Sequence, residues 1–140
     1  MDIFSHAIAG ASVGLAFGNP WLGAAMGIAP DLVLGLRRRP LPTQLYNATH
    51  SVLSIIAVGL PIWLIFGTPI PLLALLSHLL LDLPTHGKEW APTLFYPLSE
   101  TRYVYGEEWE WFSESWYVGL CFTIIWSAAW FALAFLTGFR

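Results

Sequence analysis

The chain has 140 residues, of which 56% are hydrophobic and only 11% charged, with a formal net charge of -3. Such a length predicts a single domain over 1–140, and a soluble domain would carry roughly 25% charged residues, so the bilayer is the expected solvent. The acidic balance excludes a basic nucleic-acid footprint, and one cysteine, Cys121, excludes an internal disulfide.

Five apolar segments follow in chain order. The first runs from about Ile3 to Phe17 and ends at the turn residues Gly18-Asn19-Pro20. No basic stretch precedes it, so a cleaved signal peptide is not expected. The second runs from about Trp21 to Leu36 and meets Arg37-Arg38-Arg39; residues 40–49 read as a loop. The third spans His50 to Phe66, with Asn47 or Thr49 as candidate cap and His50 in the first helical turn. The fourth runs from Ile70 to Leu83, where Pro84 is expected to stop the helix and let His86 fold back toward His78. The fifth, Ser115 to Phe139, is long enough to cross a bilayer, for which roughly 20 residues suffice.

The sequence thus predicts an all-α, multi-spanning membrane bundle of about five apolar helices. The first four segments are short, so they read either as short spans or as helices seated in one leaflet. Gly10, Gly14 and Gly18, with Gly23 and Gly27, bring two backbones close. Residues 84–114 differ in kind. They mix Glu89, Glu107, Glu108 and Glu110 with Trp90, Tyr96, Trp109 and Trp111, the pattern of an interfacial excursion anchored by aromatic rings. Within it, Tyr103 to Gly106 is a candidate short strand or turn.

If each segment crosses or dips and returns, parity fixes which ends share a side. Asp2, His6, Asp31, His50, His78, Asp82 and His86 then gather on one side, and the other receives almost no charge. Ionisable residues in such segments face the bundle interior or an aqueous cavity. His78 and Asp82 are four apart and share a helix face, as do Asp2 and His6. Histidines and carboxylates on several segments suit a divalent ion of the Zn²⁺ type, one or two in number. The competing reading is a set of His–Asp ion pairs that satisfy one another, in a non-catalytic interaction or scaffold protein. A proton pathway would need polar residues on the far side, which are missing.

The pieces Asp2, S-H-A-I-A-G (5–10), A-P-D (29–31), T-H-S (49–51), S-H-L-L-L-D-L-P-T-H-G (77–87) and L-F-Y-P-L-S (94–99) carry a resemblance. In this order they resemble the inner-membrane-associated, metal-dependent hydrolases of the LexA-binding type, with a more distant similarity to zinc-dependent phospholipase C-like proteins. The resemblance covers about residues 1–99. It implies a divalent-metal site built from His6, Asp31, His50, His78, Asp82 and His86. Leu32-Val33 stands where the family usually has a second acidic residue, and Tyr46-Asn47-Ala48 where it tends to have a basic pair; these departures favour one ion over two.

The expected activity is hydrolysis of a phosphodiester or ester in a lipid or amphiphile. His6, His50, His78 and Asp82 are the expected ligands. Asp31 and His86 either complete a second site or act as base and supporting residues, with Glu89 as an auxiliary candidate. Arg37–Arg39 place the site on the cytoplasmic side of a prokaryotic inner membrane and the C-terminus outside; alternatively they clamp an anionic headgroup.

Overall fold

The computed structural model describes residues 1–35, 43–106 and 116–138. The arginines at 37–39 and the acidic-aromatic run 107–111 lie outside the described residues. Six helices appear in the order α1 (Ile3–Ala16), α2 (Pro20–Gly35), α3 (Thr43–Thr49), α4 (Val52–Phe66), α5 (Ile70–Thr85) and α6 (Trp116–Thr137). No strand occurs among the described residues, so Tyr103 to Gly106 is irregular chain.

The all-α expectation stands, but five membrane-crossing helices do not. Among the described residues, only α6, at 22 residues, is long and apolar enough to cross. The other long helices have 14 to 16 residues. At 1.5 Å per residue, 16 residues rise about 24 Å, short of a hydrocarbon core of about 30 Å. Apolar composition drew these segments toward the membrane; length denies them the crossing.

The helix ends follow local chemistry. Asp2 caps α1, its carboxylate accepting from the backbone N–H groups of Phe4 and Ser5. That spends Asp2 on the helix end and removes it from the polar set it was expected to join. The expected loop 40–49 instead contains α3. His50 therefore sits in the bend between α3 and α4, and Ser51 caps α4 by accepting from Ser54 N–H. Gly67 closes α4 with a left-handed φ of 67°, which a glycine adopts without Cβ strain. Pro84 does not stop α5, which continues through Thr85; His86 then turns extended.

Helix α1 is central, packing against α2, α5 and α6. The α1–α2 crossing is close because both backbones carry glycine. A Cβ on Gly23 would run into the carbonyl of Gly10, and one on Gly27 into that of His6. Ile55, Leu75 and Leu79 form one core cluster, between α4 and α5; Met1, Ala9 and Leu81 form another beneath Val118 and Trp126 of α6. Large apolar side chains remain exposed on α4 (Leu64, Ile65, Phe66) and α6 (Phe135, Leu136).

Candidate metal centre

Helix α5 supplies two of the polar groups one turn apart. His78 points at α2, where its Nδ1–H donates to the Gly27 carbonyl at 2.6 Å. With Nδ1 carrying the proton, Nε2 of the neutral ring presents a lone pair.

His50 is fixed the same way. Its Nδ1 lies 2.8 Å from the Thr49 hydroxyl and 3.2 Å from the Tyr46 carbonyl. Thr49 donates its own proton to the carbonyls of Leu45 and Tyr46, so the hydroxyl oxygen accepts from His50 Nδ1–H. Tyr46 also stacks on the His50 ring at a centroid distance of 4.1 Å. Acceptors that take the proton of the ring nitrogen facing away from a metal orient the rings of metal-binding histidines.

The two Nε2 atoms meet at 3.1 Å. Asp82 Oδ2 lies 3.2 Å from His78 Nε2 and 3.7 Å from His50 Nε2. Asp31 Oδ1 approaches from α2, 3.5 Å from His50 Nε2 and 3.8 Å from His78 Nε2. Tetrahedral Zn²⁺ with bonds of about 2.05 Å separates its ligand atoms by about 3.3 Å. The spacings bracket that value. Asp82 Oδ2 is buried and has no hydrogen-bond partner among the described residues. Among the described residues, two groups could hold a metal ion: His50, His78 and Asp82, all buried, and, sharing His78, His6 with His78 and the half-buried Asp31.

The other oxygen of Asp82 faces the opposite way. Oδ1 takes the Met1 ammonium at 2.6 Å, His6 Nε2 at 2.9 Å and His86 Nδ1 at 3.2 Å. His6 lies flat on His78, with ring centroids 3.6 Å apart, and its Nδ1 is buried without a partner among the described residues.

Burial and charge set the protonation pattern. His6 is pushed down to about 4, first by burial and then by His78, with Asp82 pulling the other way. Burial lowers His50 against the pull of Asp31 and Asp82. For Asp82, burial would raise the carboxyl, but the N-terminal ammonium, His6, His78 and His86 outweigh it and hold it well below the usual range. Asp31 also falls, burial being outweighed by the neighbouring His50, His78 and His6. His78 is held up: burial opposes it, but Asp82 and Asp31 prevail.

All six nominated residues therefore gather around Asp82 and His78. His86 meets Asp82 Oδ1 and the Met1 amine and belongs to neither triad. Asp31 is the most open, its side chain 24% exposed against 17% for His86. Glu89 is exposed and enters neither group. The segment after α5 closes over the α3–α4 bend: Val52 N–H donates to Leu94 O at 2.9 Å, the Tyr46 hydroxyl donates to Trp90 O, and Ala91 and Thr93 are buried.

Gly27, Tyr46, Thr49 and the Met1 amine are the participants that residue types do not advertise. The first two act through backbone carbonyls, and an α-amine leaves no letter in a sequence. Compared with known proteins, the chain matches no family model, no curated protein and no solved structure.

Proposed function

We propose that the protein is a membrane-bound, metal-dependent hydrolase acting on a phosphodiester or ester of a lipid or amphiphile. The observation that carries this reading is the group His50 Nε2, His78 Nε2 and Asp82 Oδ2. Both rings turn Nδ1 to an outward acceptor and Nε2 inward, at ligand-to-ligand spacing, beside a buried carboxylate oxygen with no hydrogen-bond partner among the described residues. A Zn²⁺ ion bound there would supply Lewis acidity and would lower the pKa of water toward 7.

The chain's own residues do the rest. His50, His78 and Asp82 would hold the ion, while His6, His86 and the Met1 amine hold Asp82 by its other oxygen. Asp31, the most open carboxylate, takes the proton from the attacking water. The water oxygen bonds to phosphorus or the acyl carbon, the bond to the leaving oxygen breaks, and that oxygen receives the proton from Asp31. The family resemblance points the same way.

Helix α6 anchors the body, and the exposed apolar faces of α4 and α6 favour contact with lipid. The basic run 37–39 keeps the body cytoplasmic and sends the C-terminus outside; a C-terminal reporter that reads as cytoplasmic refutes that orientation. The ion-pair reading draws support from the Met1 ammonium, which neutralises Asp82. It accounts for Oδ1, and a protonated His78, whose Nε2 lies 3.2 Å from Oδ2, would pair with the other oxygen as well, so metal content is what separates the two readings.

Metal analysis of the gently purified protein decides the matter. Stoichiometric divalent metal, lost in His50→Ala and His78→Ala, is the expected result. Wild-type protein free of metal overturns the proposal.

A further inference from the structure

A cavity of about 150 Å³ opens between α2, α4 and α5, lined by Met26, Ala29, Pro30, Val58 and Leu75 and bordered by Thr49. Its wall is almost wholly apolar. The two hydroxyls on it are already engaged: Thr49 with carbonyls and His50, and Ser54 with Ser51. The cavity therefore asks for nothing polar.

It adjoins the metal centre through its own lining. Thr49 touches the His50 ring, Leu75 lies one turn before His78 on α5, and Pro30 precedes Asp31. Unlike the core beside it, the space is open on one side, bounded by Val33, which is 42% exposed. An apolar cavity of 150 Å³ takes a guest the size of benzene, equivalent to about six carbons.

We infer that this cavity seats the hydrocarbon chain of a single-chain amphiphile whose phosphate or ester head reaches Asp31 and His50. The inference rests on the hydrolase reading and names the part of the substrate that the metal does not touch. The occupant is an alkyl chain because the wall offers no hydrogen bond, and it belongs to the substrate because Thr49 serves both the cavity and a metal-facing imidazole.

The test is calorimetry on the purified, metal-loaded full chain in amphipol, with methyl, butyl, hexyl and octyl phosphate. Each added methylene is expected to tighten binding roughly fourfold up to about six carbons, with little gain beyond. Ala29→Leu fills the cavity, and Val33→Trp closes its exposed rim without entering the core. Both are expected to flatten the chain-length dependence while methyl phosphate affinity and metal content stay as in wild type. A slope that persists in both variants, or no slope in wild type, overturns the inference.

Hexanol, tested after chelation, separates the two readings. Hexanol binding that Ala29→Leu abolishes, with methyl phosphate never binding, keeps the chain site and sinks the metal reading. Metal-dependent methyl phosphate binding with no chain-length slope does the reverse.

Discussion

Replacing His78 by alanine separates a metal centre from a set of ion pairs. If an ion sits between His50, His78 and Asp82, it binds the folded chain alone, and free metal at about 1,000 times Kd stabilises that chain by about 4 kcal/mol. At about 2–4 °C per kcal/mol for a chain of this size, chelation should lower the wild-type Tm by on the order of 10 °C. In His78→Ala one of three ligands is gone, the Gly27 carbonyl loses its donor, and chelation should move the Tm by under about 1 °C. Breaking a buried ion pair costs about 3–5 kcal/mol in its own right, so the variant is destabilised under either reading. The informative quantity is the difference between chelated and metal-loaded melts, measured by differential scanning fluorimetry in both proteins. A wild-type Tm indifferent to chelator, with His78→Ala equally destabilised in both conditions, refutes the metal argument and leaves the ion pairs.

Thr49→Val removes the acceptor that orients His50 Nδ1–H, and a change of that kind typically weakens metal affinity about 10–100-fold; competition against a chromophoric chelator measures it, with stoichiometry at saturation unchanged. Gly23→Ala drives a methyl group into the Gly10 carbonyl and should destabilise the fold by about 1–3 kcal/mol, read as a lower Tm in the chelated state, where no metal term enters. Asp2→Ala removes the α1 cap at a cost of about 1 kcal/mol and should leave metal stoichiometry intact, because both Asp2 contacts of α1 are to backbone N–H groups.

The convergence of the histidines was legible because it depends only on turn positions. Gly18-Asn19-Pro20 and Gly67-Thr68-Pro69 reverse the chain wherever helices end, and reversal alone brings His6, Asp31, His50, His78 and Asp82 to one end of the bundle. The number of membrane crossings was not legible from apolarity. Ile70–Thr85 is as greasy as many spans, yet its 16 residues also bury Ile70, Ala74, Leu75 and Leu79 inside the body. Helix α3 escaped notice because T-Q-L-Y-N-A-T carries loop-forming residues; its formation is tertiary, with Tyr46 buried and its hydroxyl tied to Trp90 O. Pro84 misled for a local reason. A proline in the last turn forfeits only one helical hydrogen bond, and α5 needs just one more residue to end at Thr85.

The division of labour on Asp82 bears on the substrate. Its Oδ1 already meets the Met1 ammonium and two imidazoles, so ion pairing is complete on that side. On the other side two imidazoles face each other at 3.1 Å with both Nδ1 protons committed to outward acceptors, and repulsion between the lone pairs demands a cation. A proton on His78 would meet that demand for one neighbour and bring the buried charges of Asp31, Asp82 and Met1 to zero. A divalent ion would meet it for His50, His78 and Asp82 at once and leave one positive charge over, beside the partly open Asp31. An excess positive charge in a low-dielectric site attracts an anion far more strongly than a neutral group. The same arrangement would therefore favour a phosphodiester over a carboxylic ester, and metal-loaded protein should bind dimethyl phosphate where it does not bind methyl acetate.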